Sequence, residues 1–130
     1  MLLPSHIFEV QRRKFPRVYA AEGSAMTCAP KASRRIVSGE VIDVSREGAK
    51  IFGKLAGVHK GMVLAPLTLT LCFDERRRDD VVVNIAEAIV VREIRVKEKV
   101  ELSFHFHSKN ADDLLKEYIE LRILEQEIYD

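Results

Sequence analysis

The segment Leu67-Thr68-Leu69-Thr70-Leu71-Cys72-Phe73 decides the fold, because bulky apolar side chains alternate along it with smaller, more polar ones. Successive side chains of a β-strand point to opposite faces, so this pattern predicts a strand with one buried and one half-exposed face. We expect the strand to begin at Val63 and to end at Phe73. The charged segment from Asp74 to Asp80 follows directly and predicts a hairpin connection to another strand.

The regions on either side of this strand also have the composition of strands joined by short links. Upstream, Ile36 to Phe52 is typical of a strand, a polar turn at Asp43–Gly48 and a second strand, and Val18 to Ala29 predicts an earlier strand. Downstream, Val81 to Arg92 and Val100 to Phe106 predict two more. Six sequential strands with short links favour an antiparallel sheet closed into a barrel, which removes exposed edges.

The end of the chain has a helical pattern. Asn110 can cap a helix, and Asp112 and Asp113 stand in the first turn, where the helix dipole favours anions. Apolar residues recur at helical spacing in two adjacent stripes, Leu114, Tyr118, Leu121, Leu124 and Ile128 in one and Leu115, Ile119 and Ile123 in the other. This double stripe is wider than the roughly 100° of a helix that covers one core. The helix therefore either seals the barrel along most of its length or meets another copy or another domain with part of this face.

Length and composition limit the function classes. A chain of 130 residues fits one domain, and 47% apolar and 32% charged residues are ordinary for a globular protein. The net charge of +1 gives no bulk reason to bind long nucleic acids or anionic membranes. Two distant cysteines without a CxxC spacing, no signal-peptide pattern and no long apolar run predict a cytoplasmic protein without membrane insertion.

A basic segment, Gln11 to Arg17, carries four cations. Pro16 restricts Phe15 to extended geometry and fixes its own φ, so the segment is not expected to form a regular helix. A guanidinium is a planar fork that matches two phosphate oxygens or the O6/N7 edge of guanine. Arg13 and Arg17 could therefore reach different parts of one nucleotide, although a basic run alone also fits a solvated tail.

The polar turn from Asp43 to Gly48 offers a second set of binding groups. Asp43 can accept hydrogen bonds from the N1 and N2 donors of guanine, Ser45 can bond a phosphate, and Gly48 has no Cβ to hinder a close approach. Alone, this spacing also fits an ordinary turn with an Asx cap.

Together, the two motifs resemble those of the PilZ domain, the bacterial receptor for cyclic di-GMP. The resemblance rests on Arg13-x-x-x-Arg17 preceded by Arg12, and on Asp43-x-Ser45-x-x-Gly48 between strands. It implies an all-β fold with a C-terminal helix, namely a six-stranded antiparallel PilZ-type β-barrel sealed by a long terminal α-helix. Residues 1–10 would be a lead-in or linker, 11–109 the barrel with its binding loop at 11–17, and 110–130 the helix of the same domain.

The resemblance also implies the function and its residues. The protein would be a receptor and not an enzyme, with cyclic di-GMP as its ligand, no cofactor, no catalytic residue and no metal. The implied ligand-binding residues are Arg12, Arg13, Arg17, Asp43, Ser45 and Gly48. Family members with an arginine just before the first motif often take two intercalated cyclic di-GMP molecules, so Arg12 favours two ligands per chain. Glu47 stands where a second glycine is frequent and places a negative charge near an anionic ligand.

Finer features are similar to the C-terminal PilZ domain of flagellar-brake proteins: Leu3-Pro4 ahead of the basic segment, the late strand Leu102–Phe106 and the long charged helix. They imply that ligand orders the loop at 11–17 and signals to a protein partner, such as one in the flagellar motor, to control motility. The alternative is a nucleotide-independent PilZ-like adaptor that acts through its helix and lead-in, with the helix as the interface of a homo-oligomer. His105 and His107 share one strand face, but without a third ligand they do not predict a metal site.

Overall fold

The computed structural model of the chain describes residues 16–30, 36–75, 77–106 and 112–129. In this part of the chain, eight strands precede one helix. The elements are β1 (Val18–Tyr19), β2 (Ala25–Pro30), β3 (Val37–Val44), β4 (Gly48–Gly53), β5 (Val63–Leu71), β6 (Val81–Ile85), β7 (Ala88–Val96), β8 (Lys99–Phe106) and α1 (Asp112–Tyr129). The predicted fold class, mostly β with a C-terminal helix, is confirmed.

Six of the strands close into an antiparallel barrel. They lie in the order β3-β2-β5-β7-β8-β4, and the pairing of β4 with β3 closes the ring. The two further strands extend this ring, since β1 pairs with β3 and β6 pairs with β5. The predicted six-stranded antiparallel barrel is therefore confirmed, with two extra strands.

Two of the predicted strands are each divided in the structure. The predicted strand from Val18 to Ala29 becomes β1 and β2, separated by a turn in which Gly23 has a φ of 97°. This left-handed conformation is accessible because glycine has no Cβ. The predicted strand from Val81 to Arg92 becomes β6 and β7. Both pair with β5, but at different positions: β6 pairs with Leu67–Leu71, and β7 pairs with Val63 and Leu64.

The alternation that predicted β5 is reproduced in its burial. Leu67, Leu69 and Leu71 are fully buried in the core of the barrel, whereas the intervening threonines are only partly buried. On the outer face, the Thr68 hydroxyl donates a hydrogen bond to the side-chain oxygen of Asn84 on β6 at 3.1 Å. Burial of each leucine stabilises the fold by about 1.5–3 kcal/mol relative to exposure.

The helix α1 packs part of its wide apolar face against the barrel. Residues of both predicted stripes are buried there, namely Leu115 and Ile119 of one and Tyr118 of the other, whereas Leu114 and Leu124 are 44% and 55% exposed. The predicted division into two stripes is therefore wrong, and the part of the face at Leu114 and Leu124 does not seal the barrel. Asn110, the predicted cap, and the side chain of Ile128 lie outside the described residues.

A buried ion pair anchors α1. The Arg122 guanidinium donates from Nε to the carbonyl oxygen of Tyr19 at 3.0 Å, and from Nη1 to Asp74 Oδ2 at 2.8 Å and Glu125 Oε1 at 2.6 Å. The Glu125 carboxylate also accepts hydrogen bonds from the backbone N–H groups of Asp74 and Glu75. The helix is therefore bonded to β1 and to the β5–β6 connection at once.

Tyr118 forms a second set of hydrogen bonds between α1 and the rest of the domain, within the apolar face of the helix. Its hydroxyl donates to the carbonyl oxygen of Cys72 at 2.6 Å and accepts from the backbone N–H of Ala21 at 3.3 Å. Burial raises the pKa of Tyr118, so the hydroxyl keeps its proton and its donor role. Its ring also contacts that of Phe73, with centroids 4.9 Å apart.

The two cysteines are free thiols, and burial raises the pKa of Cys28 to about 11, which keeps that thiol protonated at neutral pH. The helix in the described part of the chain is too polar to cross a membrane.

Substitution of Arg122 by methionine is expected to lower the free energy of unfolding by about 3 kcal/mol or more, because it leaves the Glu125 carboxylate buried without its cation. The matched control is Lys116→Met, an exposed position on the same helix that should change stability by about 0.5 kcal/mol at most. Urea unfolding at neutral pH measures both variants, and equal stabilities would contradict an anchoring role for Arg122.

The pKa of Glu125 gives a second prediction. Burial opposes its ionisation, but the Glu75 N–H and the Arg122 guanidinium outweigh this and hold the pKa below its ordinary value. A carboxyl with a lowered folded-state pKa contributes stability above the unfolded pKa, and that contribution is lost as the pH falls through the folded pKa. Glu125→Gln should therefore lower the melting temperature at neutral pH and flatten the loss of stability below about pH 5. Glu117→Gln, exposed on the same helix, should behave like the unmodified chain; an equally steep acid limb in Glu125→Gln would contradict the assignment.

Candidate functional site

A register shift in β3 places Asp43 on the outer face of the barrel. The pairing of β3 with β4 shifts between Val41 and Asp43, so that Ile42 is an extra residue. Val41 and Val44 are 3% and 0% exposed in the core, a spacing that an uninterrupted strand does not allow. The bulge thus turns Asp43 away from the core and pairs it with Lys50 of β4.

The short strand β1 brings Arg17 to Asp43. Val18 pairs with Val44 and Tyr19 with Asp43, so the residue before β1 lies near the end of β3. Arg17 Nε is 3.6 Å from Asp43 Oδ1, and the Arg17 side chain is 36% exposed whereas that of Asp43 is 7% exposed. The structure therefore joins one residue of the basic segment with the first residue of the polar turn.

A cavity of about 200 Å³ lies at this junction and is lined by Arg17, Val18, Tyr19, Asp43 and Lys50. Lys50 Nζ is 3.8 Å from Asp43 Oδ2, and the Tyr19 side chain is exposed beside it. Cations can bind phosphate, a carboxylate can accept from the N–H edge of guanine, and an aromatic ring can stack on a base. The volume is below the roughly 300–1,000 Å³ of a typical small-molecule pocket, so this cavity alone is smaller than a complete ligand site.

Ser45 and Gly48 shape the turn between β3 and β4. The Ser45 hydroxyl accepts hydrogen bonds from the backbone N–H groups of Glu47 and Gly48, both at 3.2 Å, and its own hydrogen remains a donor. A Cβ on Gly48 would collide with the carbonyl oxygen of Phe104. The close approach that glycine permits here is therefore between β4 and β8, which the sequence analysis did not anticipate.

The remaining predicted residues are not all within the described part of the chain. Arg12 and Arg13 lie outside it, as do the lead-in at 1–10 and His107. Glu47 is exposed in the β3–β4 turn, and its carbonyl oxygen accepts from the backbone N–H of Phe106 at 2.7 Å. The described residues contain no group of three or more His, Cys, Asp or Glu side chains that could hold a metal ion.

The sequence analysis missed Tyr19 and Lys50. Tyr19 follows Arg17 by two residues and so falls on the same face of an extended chain, which was an available signal. Lys50 was harder to find, because an unbroken register would pair Asp43 with Ala49, and only the bulge brings Lys50 opposite.

Comparison with known proteins adds to this geometry. A model of the PilZ domain matches residues 11–121, whereas none of the curated proteins compared matches the chain. The solved PilZ domain of YcgR from Escherichia coli, with c-di-GMP, is similar with a TM-score of 0.64 and 19% identity over 89% of this chain and 95% of that chain.

Two longer proteins contain a similar fold. The inhibitor of motility MotI/DgrA from Bacillus subtilis has a TM-score of 0.63 and 19% identity over 87% of this chain and 52% of that chain. The MrkH–c-di-GMP complex from K. pneumonia has a TM-score of 0.69 and 17% identity over 92% of this chain and 56% of that chain. The present chain thus spans about half the length of either protein.

Structural likeness at such identities shows the fold alone. The family model, in contrast, matches 111 of the 130 residues, counted from 11 to 121, and includes both the basic segment and the polar turn. The resemblance inferred from those motifs is confirmed, and the chain belongs to the PilZ domain family.

Proposed function

We propose that this chain is a cytoplasmic, non-catalytic receptor that binds cyclic di-GMP beside Asp43 and signals to a protein partner. The observation that carries the proposal is the meeting of Arg17, Asp43 and the exposed Tyr19 at one cavity. Among the similar structures, the PilZ domain of YcgR and MrkH contain c-di-GMP, which supports the choice of ligand.

The cavity residues have complementary roles in this proposal. The Arg17 guanidinium binds a phosphate with its planar fork, and the Asp43 carboxylate accepts from N1 and N2 of a guanine. Ser45 offers its hydroxyl hydrogen, while Gly48 holds the turn against β8. Arg12 and Arg13, which lie four and three residues before Pro16 in sequence, complete the set of groups that bind the phosphates and bases.

Ligand binding exchanges one set of partners for another. In the structure, the Asp43 side chain is 7% exposed and lies against Arg17. A buried carboxylate that loses its cation must gain other donors, because unpaired burial is unfavourable. A guanine edge supplies such donors to Asp43 while a phosphate takes over Arg17, so the ligand-bound site keeps every charge paired.

The strand β1 links this exchange to the helix. Arg122 of α1 donates to the carbonyl oxygen of Tyr19, and the Tyr118 hydroxyl accepts from the N–H of Ala21. If ligand binding orders the loop at 11–17 and displaces β1, α1 should therefore shift as well. The size of this shift is limited by the difference in ligand affinity between the conformations with and without the displacement. One similar structure is described as an inhibitor of motility, which favours motility, and a partner in the flagellar motor, as the regulated process.

A second candidate function is a nucleotide-independent adaptor that acts through α1. The exposed Leu114 and Leu124 favour it, because a helix that only seals a barrel does not need these two apolar side chains in solvent. Two results together would support the adaptor: a homo-oligomer that forms with rising concentration in analytical sedimentation, and no heat in a titration with cyclic di-GMP. Leu124→Glu should then dissociate that oligomer.

Isothermal titration of cyclic di-GMP tests the proposed site. Arg13→Ala, Arg17→Ala and Asp43→Ala should each weaken binding by about tenfold to a hundredfold, because each removes a hydrogen bond that involves a charged group. The matched control is Lys54→Ala, whose exposed cation pairs with Glu98 away from the cavity and should leave affinity unchanged. Tight binding retained in all three site variants, with normal circular dichroism, would contradict the site assignment.

The ratio of ligand to protein in the same titration tests Arg12. We propose two intercalated cyclic di-GMP molecules per chain, with Arg12 holding the second. Arg12→Ala should then reduce the ratio from two to one while the remaining molecule still binds. A ratio of one in the unmodified chain would contradict this stoichiometry without affecting the site itself.

A further inference from the structure

Lys50 occupies a position in the cavity that the proposed set of ligand-binding residues does not use. It projects from β4 opposite Asp43, lines the cavity and is 29% exposed, so its ammonium is reachable from solvent. Its Nζ lies 3.8 Å from Asp43 Oδ2 and 3.3 Å from Glu101 Oε1 of β8. The cation is therefore shared between a residue that faces the cavity and one beside it.

Glu101 differs from Asp43 in what it can do for a ligand. Asp43 lines the cavity, where its carboxylate can accept from a base, whereas Glu101 is not among the lining residues. Glu101 forms an ion pair with the Lys50 ammonium at 3.3 Å. Its negative charge therefore attracts Lys50 from outside the cavity lining.

Lys50 and Glu101 belong to a linked set of charges that extends beyond the cavity. Arg17 and Lys50 carry two positive charges, and Asp43 and Glu101 carry two negative ones, so these four residues sum to zero. When a dianionic ligand binds one of these cations, the net gain in free energy is that of the new ion pair less that of the ion pair that the cation leaves. A lysine ammonium on a flexible stem can turn from a carboxylate to a phosphate with little rearrangement.

From this geometry we infer that Lys50 is a phosphate-binding residue and that Glu101 competes with the ligand for it, which sets the ligand concentration at which the receptor responds. The inference rests on the proposed binding of cyclic di-GMP and deepens it by assigning how the affinity of that site is set. It predicts that removal of the Lys50 charge weakens ligand binding, whereas removal of the Glu101 charge tightens it.

Titrations of cyclic di-GMP at low and high salt test the inference. Lys50→Met should weaken binding about tenfold and make the affinity less dependent on salt, because one ionic contact is lost. Glu101→Gln should tighten binding about threefold, because the ammonium no longer has to leave a carboxylate. Lys50→Arg should retain most of the affinity, since it keeps the charge.

The double variant separates competition for Lys50 from a general charge effect. If Glu101 acts through Lys50, Glu101→Gln should have no effect in the Lys50→Met background. Lys54→Met and Glu98→Gln are the matched controls, because they break a lysine–glutamate pair at 3.9 Å that is 71% and 86% exposed, and neither should change the affinity. Thermal unfolding of each variant verifies that it is folded.

The outcomes distinguish this inference from the function on which it rests. An unmodified chain that binds cyclic di-GMP with the same affinity as Lys50→Met would overturn the role of Lys50 alone. A gain from Glu101→Gln that persists without Lys50 would overturn the competition. No binding by the unmodified chain would overturn the proposed function and the role of Lys50 with it.

Discussion

The register shift at Ile42 is the constraint on which both the barrel and the site depend. In an unbroken strand, Asp43 would share the core face with Val41, and a buried carboxylate without partners would cost several kcal/mol. The extra residue places Val44 in the core instead and turns Asp43 outward to Lys50. The bulge therefore places Val44 in the apolar core and Asp43 on the outer surface beside Lys50.

The cavity also depends on the position of the short strand β1. A two-residue strand contributes few hydrogen bonds of its own, so its position depends on what holds it from either side. On one side it pairs with β3, and on the other the Arg122 guanidinium binds the carbonyl oxygen of Tyr19, 103 residues away in sequence. The cavity that contains Arg17 and Tyr19 is thus built on a segment that the barrel and α1 hold together.

The parts of the fold that depend on local patterns could be predicted from the sequence. The alternation of apolar residues predicted β5, and the helical spacing predicted the terminal helix that the structure describes as α1. The bulge could not be predicted, because Val41 and Ile42 are both apolar and an extra residue leaves no mark in composition. The burial of Arg122 and Glu125 could not be predicted either. Charged helix positions normally face solvent, and only the tertiary fold brings Asp74 and the carbonyl oxygen of Tyr19 to this pair.

The motifs selected Arg17 and Asp43, which the pairing of β1 with β3 places 3.6 Å apart, and their role in ligand binding stays a prediction. Gly48 permits the β4–β8 contact and Ser45 holds the turn, so residues of the motif also have structural roles. Within the folded chain, the charges of Arg17, Lys50, Asp43 and Glu101 already compensate one another. In the function that we propose, binding would replace these internal ion pairs instead of adding new ones, so the net affinity would be a difference between two paired states. A site of this kind would change its partners, and with them the position of β1, without leaving a charge buried and unpaired in either state.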